Sequence, residues 1–249
     1  MKTEFLKSKH GYDIPFHRNI PKGAKRIVIV CHGFGSSKDS VTAHRMLCSL
    51  SLAGLGAVAF DFPAHGESEA GVEQLLVENC IDNIGEIEQM ICEEYPEAEI
   101  GYFGSSFGGF CDLLYLTKKE HLGDRAFLRS GAVNMADFFR EVPEEAQKIL
   151  DEKGCILAQE EPPVVVPKAF VEEMQTLDLY RDFAPKDGDD LRVTMIHGTE
   201  DEEIDVNKAE EFAAKFEIPI ILLEGGHHNL AGEGMPERVA REAILHFSC

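Results

Sequence analysis

The sequence lacks any apolar run long enough to cross a membrane, and it is poor in positive charge. No stretch of the 249 residues approaches the roughly 18 consecutive apolar residues of a transmembrane helix. Lys and Arg together number 24 against 45 Asp and Glu, which gives a formal net charge of −21. Such a charge repels phosphate groups, so the sequence argues against binding to nucleic acid or to an anionic membrane surface.

Targeting and metal-binding signals are also missing. Residues 1–7 show neither the apolar run nor the cleavage site of a signal peptide, so we expect a cytoplasmic protein. The seven cysteines are odd in number and form no C-x-x-C pair, which favours free thiols over disulfides and predicts no metal site. The sequence contains no G-x-G-x-x-G or Walker-type loop, so we expect no nucleotide cofactor.

The chain does contain enough apolar material, 44% of its residues, for one large α/β domain. Apolar strand-like runs alternate with segments of helical spacing, a pattern typical of a parallel sheet with helices on both faces. The first two strands are expected to pair antiparallel around a turn at residues 9–11. We predict strands at 4–8, 12–18, 26–31, 57–62, 98–103, 126–133, 192–197 and 219–223, and helices at 41–53, 73–94, 107–119, 205–216 and 235–247.

The alternation of strands and helices is interrupted between residues 134 and 185. In this segment we expect two acidic helical stretches around a loop at residues 160–167. We interpret the interruption as an inserted cap, which leaves residues 1–133 and 186–249 as the core.

A G-x-S-x-G pattern stands between a predicted strand and a predicted helix, at Gly104-Ser105-Ser106-Phe107-Gly108. This pattern is the sequence form of a nucleophile elbow, a strained turn that exposes the central serine hydroxyl. Small residues two positions before and after the serine relieve the crowding of such a turn. We therefore predict that Ser106 is a nucleophile, whereas Ser105 lies off the centre of the motif.

A serine nucleophile needs a neighbouring base, and the base needs an orienting group. In a parallel sheet such groups gather where the strands end. The predicted strand 192–197 leads to Asp201, and the strand 219–223 leads to His228, so the order in the chain is Ser106, Asp201, His228. The alternatives are Glu200, Glu202, Glu203 and Asp205 for the acid, and His227 for the base.

With these motifs the chain resembles the α/β-hydrolase fold family over nearly its whole length. Within that family it is most similar to small bacterial carboxylesterases of the cinnamoyl/feruloyl type. The resemblance is carried by five segments in the same order: CHGFGSS at 31–37, DFPAHGES at 61–68, the elbow at 104–108, HGTED at 197–201 and EGGHHN at 224–229.

The resemblance implies an α/β-hydrolase fold: a mostly parallel, doubly wound sheet with an N-terminal antiparallel hairpin and a helical cap insertion. It implies Ser106 as nucleophile, Asp201 as acid and His228 as base, with an oxyanion hole formed by the backbone N–H groups of Phe34 and Phe107. Ser105 stands where the family often has His. Because the cap shapes the acyl pocket in this fold, the candidates for substrate contact are Met135, Phe138, Phe139, Phe170, Met174 and Tyr180; the alternative is that these side chains only pack the cap onto the core.

Several other polar residues near these motifs are expected to be structural. We expect His32 to shape the oxyanion loop through hydrogen bonds, and His65, His197, Cys31 and Cys111 to have no chemical role. Arg129 is a charge inside a predicted buried strand, and an acid under the cap is the partner we can suggest for it.

The expected function is cofactor-free hydrolysis of a small-molecule carboxylic ester, of a small or medium acyl or an aromatic acid, through an acyl-enzyme intermediate. A thioesterase, an acyltransferase or a peptidase would use the same triad. A hydrolase fold kept as a non-catalytic binding module is the alternative from a different class. The sequence leaves the natural substrate and the oligomeric state open, a homodimer being one option.

Overall fold

The computed structural model describes residues 1–159, 163–184 and 191–248, and within them eight strands form one central sheet. The strands are β1 (Glu4–Lys7), β2 (Asp13–Asn19), β3 (Arg26–Cys31), β4 (Gly56–Phe60), β5 (Glu99–Ser105), β6 (Arg125–Arg129), β7 (Cys155–Gln159), β8 (Val164–Pro167), β9 (Arg192–Gly198) and β10 (Ile220–Leu223). The order in the central sheet is β1-β2-β4-β3-β5-β6-β9-β10, and all neighbours pair parallel except β1 with β2 and β2 with β4. This arrangement confirms the predicted fold class.

Helices cover both faces of the sheet. The helices are α1 (Val41–Leu52), α2 (Val77–Glu94), α3 (Phe107–Lys118), α4 (Asp137–Arg140), α5 (Glu144–Lys153), α6 (Lys168–Thr176), α7 (Leu179–Asp182), α8 (Val206–Lys215) and α9 (Met235–Ser248). One face of the sheet packs against α1 and α9, and the other packs mainly against α2, α3 and α8. No helix among the described residues combines the length and the apolar character that crossing a membrane requires.

Strand β3 shows why the central strands are continuous apolar runs. All six of its residues are buried. Ile27 and Ile29 pack into the core layer of α2 and α3, whereas Val28 and Val30 pack into the layer of α1 and α9. Because successive side chains point to opposite faces, a strand covered on both sides must be apolar at every position.

Most predicted boundaries differ from the structure by no more than two residues, but two were wrong by four residues. The sixth strand ends at Arg129 rather than at Val133, because Ser130 takes a positive φ of 46° and turns the chain out of the sheet. The N–H of Ala132 then donates to the carbonyl of Ser106 at 3.1 Å, so this turn lies against the elbow. The helix predicted at 73–94 begins at Val77, after a short 3-10 turn.

The loop predicted at residues 160–167 was also wrong in its second half. Val164–Pro167 is a strand, β8, which pairs antiparallel with β7 in a separate two-stranded sheet. Its three consecutive valines favour extended backbone, and the prolines flanking them concealed this preference in the sequence. Residues 160–162, the expected boundary at residue 185 and Cys249 lie outside the described residues.

The segment between β6 and β9 packs onto the carboxyl end of the central strands. The ring of Phe170 in α6 lies 6.1 Å from that of Phe34 and 6.3 Å from that of Phe107, measured between ring centroids. Glu173, also in α6, accepts a hydrogen bond of 2.7 Å from the N–H of Val77 at the start of α2. The described residues of this segment form four short helices and the β7–β8 hairpin, where two helical stretches were predicted.

Candidate active site

Ser106 lies in a strained turn between β5 and α3. Its φ of 53° and ψ of −116° are unusual for a residue with a side chain. A Cβ atom at Gly104 would come within 2.5 Å of the backbone of Gly109, and one at Gly108 would lie 2.2 Å from the carbonyl oxygen of Cys31. The glycines of the motif therefore allow backbone segments to approach so closely that the serine hydroxyl can stand out from the turn.

Three side chains from distant parts of the chain form a continuous line of hydrogen bonds. His228 Nε2 lies 2.9 Å from Ser106 Oγ, and His228 Nδ1 lies 2.9 Å from Asp201 Oδ2 and 3.0 Å from Oδ1. His228 is buried. Such a line allows the imidazole to take the serine proton while the carboxylate orients the ring.

Asp201 follows β9 and is held by more than His228. Its Oδ1 accepts hydrogen bonds from the N–H groups of Ile204 (2.8 Å) and Glu203 (3.0 Å), and its Oδ2 lies 3.0 Å from His197 Nε2. Burial alone would raise the pKa of Asp201, but the hydrogen bonds from His197, His228 and Ile204 outweigh burial and hold the pKa well below its usual range. The carboxylate is therefore ionised at neutral pH.

His197 has a closer connection to this line than the sequence indicated. It was expected to be structural without a named partner, whereas in the structure it bonds Asp201 four residues further along the chain. Its Nε2 also lies 3.0 Å from the carbonyl oxygen of Ile204. The sequence did contain one signal for this contact, which is a histidine at the end of β9, four residues before the predicted acid.

None of the other candidates for acid and base bonds His228 Nδ1 or Ser106 Oγ, although Glu203 Oε2 lies 3.5 Å from His228 Nε2. His227 is exposed and lies 3.1 Å from a carboxylate oxygen of Glu202 and 4.0 Å from one of Glu200. Asp205 caps the N-terminus of α8 through its side chain. The geometry thus favours Asp201 and His228 over these alternatives.

The predicted oxyanion loop passes directly beside Ser106. A Cβ atom at Gly33 would lie 3.4 Å from Ser106 Cβ, so the loop that carries Phe34 runs against the serine. Phe107 is the first residue of α3, where an N–H has no intrahelical partner. Backbone donors beside a serine nucleophile are of the kind that stabilises negative charge developing on a substrate oxygen.

His32 fixes the shape of this loop, in the structural role that was expected. Its Nδ1 lies 2.8 Å from the carbonyl oxygen of Gly33, and its Nε2 accepts a hydrogen bond of 3.1 Å from the N–H of Phe62. Burial, together with the neighbouring ring of His65, lowers the pKa of His32 to about 3. The ring is therefore neutral, and the hydrogen on Nδ1 holds the loop carbonyl in place.

A large cavity of about 1070 Å³ opens beside Ser106 and His228. Of the predicted substrate contacts, Met135 and Phe138 line this cavity. The structure places the others elsewhere: Phe139 packs against Phe170, Phe170 and Met174 are fully buried in the core, and the Tyr180 hydroxyl donates to a carbonyl of α8. Their helical spacing reflected packing of the segment onto the core.

Arg129 joins the elbow to the loop that carries His228. Its guanidinium donates to Ser105 Oγ at 2.7 Å and to the carbonyl oxygen of Asn229. The next residue, Ser130, donates through its hydroxyl to the carbonyl oxygen of His228 at 2.8 Å. Within the described part of the chain Arg129 forms no ion pair, so the expected acid partner under the cap is not found.

A buried carboxyl lies directly behind the elbow. Asp112 in α3 is fully buried, and a Cβ atom at Gly104 would lie 2.4 Å from its Oδ2. Apart from the Cys31 thiol, its oxygens have no hydrogen-bond partner in the described part of the structure. Burial raises the pKa of Asp112 to about 8, and the nearby Cys31 thiol only partly offsets this shift.

The raised pKa of Asp112 predicts that Asp112→Asn stabilises the fold at neutral and alkaline pH. An unfolded aspartate ionises near pH 4, whereas the folded one keeps its proton up to about pH 8. The free energy of unfolding of the wild type should therefore fall as the pH rises between these values, by at most ~1.4 kcal/mol per pH unit. Asp112→Asn cannot ionise at this position, so its free energy of unfolding should lack this decrease. Urea unfolding at pH 5 and pH 8 measures this difference, and an identical pH dependence in both proteins would exclude it.

Away from the cavity, three side chains could together hold a metal ion. One ligand atom each from His17, Asp39 and His44 lies within 4.8 Å of the other two. The sequence spacing had not suggested this group, because it joins β2 to the start of α1. Asp39 is already paired with Lys38 Nζ at 2.8 Å, and His17 Nε2 lies 2.9 Å from Asp39 Oδ1.

Comparisons with known proteins agree with the fold. A sequence family described as serine aminopeptidase, S33, matches residues 22–181. No protein with a curated description matches the chain.

Solved structures resemble the chain over nearly its whole length. A putative hydrolase from Agrobacterium vitis has a TM-score of 0.82 at 16% identity and covers 99% of both chains. Est1E from Butyrivibrio proteoclasticus, solved with ferulic acid bound, has a TM-score of 0.83 at 16% identity, covering 99% of this chain and 100% of its own. An esterase from Pyrococcus furiosus, Pf2001, has a TM-score of 0.71 at 17% identity, covering 98% of this chain and 90% of its own. At these identities the likeness shows the fold.

Proposed function

The chain belongs to the serine aminopeptidase S33 family of α/β hydrolases, and on that premise we propose that it is a serine hydrolase that cleaves carboxylic esters. The observation that carries this proposal is the line of hydrogen bonds from Ser106 through His228 to Asp201, which opens onto the cavity. Neither a metal nor a cofactor is needed for this chemistry.

In the proposed mechanism, Ser106 Oγ attacks the ester carbonyl carbon while His228 Nε2 takes the hydroxyl proton. The oxyanion is stabilised by the N–H groups of Phe34 and Phe107, donors of a kind that typically contribute about 2.7–4 kcal/mol each. The imidazolium then protonates the leaving alcohol, and an acyl group remains on Ser106. Water repeats the sequence with His228 as base, which releases the acid and restores the serine.

The segment 134–185 acts as a cap in this proposal, and residues 1–133 and 186–249 form the hydrolase core. Met135, Phe138 and Gln159 support this assignment because all three belong to the segment and line the cavity. The apolar side chains suit small or medium acyl groups or an aromatic acid. We also propose a cytoplasmic location for the enzyme.

A second candidate function is an aminopeptidase, which the description of the family suggests. Glu202 and Glu203 line the cavity, and Glu203 Oε2 lies 3.5 Å from His228 Nε2. Carboxylates at this position could bind the α-ammonium group of a peptide. The two reactions also differ in their leaving group, because an amine is a poorer leaving group than an alcohol.

The proposal is tested with a substrate series. We expect p-nitrophenyl esters from acetyl to decanoyl and methyl ferulate to be hydrolysed with a higher kcat/KM than acyl thioesters or aminoacyl p-nitroanilides. The aromatic ester is included because Est1E has ferulic acid bound. A higher kcat/KM for the anilides would favour the aminopeptidase, and a higher value for the thioesters would favour a thioesterase.

A further inference from the structure

The cavity beside Ser106 extends through the carboxyl edge of the sheet into the layer beneath α1 and α9. One part of its lining comes from the segment between β6 and β9 and includes Met135 and Phe138. A second part belongs to the core layer on the other face of the sheet. We call this second part the α1/α9 branch; its apolar walls are formed by Val30, Ala43, Met46, Phe103, Leu230 and Val239.

Arg129 lies on the same face of the sheet as the α1/α9 branch. Phe127 packs into the α1/α9 layer, and Arg129, two residues further along β6, points to the same face. Ser105, which accepts a hydrogen bond from Arg129, is likewise two residues after Phe103 in β5. Both Ser105 and Arg129 line the cavity.

The guanidinium of Arg129 is a buried charge whose hydrogen-bond acceptors are both neutral. It is 5% exposed, and its partners are the hydroxyl of Ser105 and the carbonyl of Asn229. A guanidinium has five N–H donors, so these two bonds leave three without an acceptor among the described residues. Buried charges are costly unless they are paired, and an unpaired guanidinium in a cavity wall is suited to an anionic ligand.

The negative charges nearest to Arg129 are those of Asp201 and Glu203, and neither forms an ion pair with it among the described residues. Burial lowers the pKa of Arg129 to about 10, while the charges of Asp201 and Glu203 oppose the shift from a distance. The group therefore stays positive at neutral pH. Asp201 is engaged by His197 and His228, and Glu203 lies 3.5 Å from His228 Nε2, so neither carboxylate pairs with the guanidinium.

We propose that Arg129 binds a carboxylate of the substrate, and that the preferred substrates are half-esters of dicarboxylic acids. The acyl chain would lie along the apolar walls of the α1/α9 branch, with its terminal carboxylate on the guanidinium and its ester carbonyl at Ser106. Hydrolysis of such a half-ester gives an alcohol and a dicarboxylate. This inference rests on the proposed esterase function, whose substrate class it narrows.

The test compares two ethyl esters of matched shape. Monoethyl glutarate ends in a carboxylate, whereas ethyl 5-methylhexanoate ends in an isopropyl group of similar size, and the acid released from each is titrated at constant pH. We expect wild type to favour monoethyl glutarate by at least about tenfold in kcat/KM, since sites built for a polar group discriminate strongly against analogues that lack it. Arg129→Met should abolish this preference, because kcat/KM for the half-ester should fall, mainly through KM, by at least about tenfold more than kcat/KM for the neutral ester falls.

Arg125→Met is the matched control for this substitution. Arg125 is a buried arginine at the start of the same strand, and it does not line the cavity. Its replacement should leave the ratio of the two esters unchanged. Equal losses for both esters in Arg129→Met would show a structural role for Arg129 and overturn the inference.

If Arg129→Met does not fold, measurements on wild type alone test the proposed carboxylate subsite. Equal kcat/KM for the neutral ester and the half-ester, together with no competitive inhibition by glutarate, would overturn the subsite and leave the esterase function intact. If wild type hydrolyses neither ester and takes no fluorophosphonate label, the proposed function itself fails. In that case calorimetric titration with glutarate tests the subsite separately, and absence of binding overturns it.

Discussion

Replacement of Ser106 by alanine is expected to lower kcat for ester hydrolysis by about 10⁴- to 10⁶-fold. The substitution removes the oxygen that would form the acyl-enzyme and leaves His228 without the hydroxyl it bonds at 2.9 Å. The loss should appear in kcat, because the cavity that binds substrate keeps its walls. Steady-state kinetics on a p-nitrophenyl ester, with unfolding measured alongside, gives this comparison.

Ser105→Ala is the matched control for the nucleophile. Ser105 is the preceding residue, but its hydroxyl bonds Arg129 on the other side of the turn. Its loss should affect neutral esters by less than tenfold. If Ser105→Ala abolishes turnover and Ser106→Ala does not, the nucleophile has been assigned to the wrong serine.

Replacement of Asp201 by asparagine is expected to lower kcat by about 10⁴-fold. The carboxylate accepts a hydrogen bond from His228 Nδ1, which keeps the lone pair of Nε2 directed at Ser106. An amide that donates to Nδ1 would stabilise the other tautomer, in which Nε2 carries the hydrogen and cannot take the serine proton. Because the pKa of Asp201 is held low, its protonation should not cause the loss of activity in mildly acidic buffers.

Asp205→Asn is the corresponding control for the acid. Asp205 lies four residues from Asp201 and caps α8, and asparagine is an equally good N-cap. Its activity should stay within about twofold of wild type. Activity of Asp201→Asn within tenfold of wild type would show that Asp201 does not orient the base.

The sequence was sufficient to predict the strands of the central sheet that helices cover on both faces. The run at 26–31 is apolar at every position because both faces of β3 are buried, so its bounds were predicted correctly. The glycines around Ser106 were equally informative, because the backbone approaches at Gly104 and Gly108 exclude any side chain. Burial on both faces and close backbone approach each restrict the residue type directly, so both can be inferred from the sequence.

The sequence was less informative where distant contacts decide the structure. The strand β8 depends on its pairing with β7, a partner that precedes it by several residues and that its own sequence does not specify. The same limit applies to Arg129, whose partners are a serine hydroxyl and a carbonyl 100 residues away along the chain. Contacts of this kind leave no periodic signal.

Covalent labelling by a fluorophosphonate, read out by intact mass and peptide mapping, tests the central claim most directly. We expect one adduct per wild-type chain, located on Ser106, and no adduct on Ser106→Ala. A folded wild-type protein that takes no label, or takes it on another residue, would contradict the assignment of Ser106 as the nucleophile. Absence of any label would instead favour a hydrolase fold that serves as a binding module.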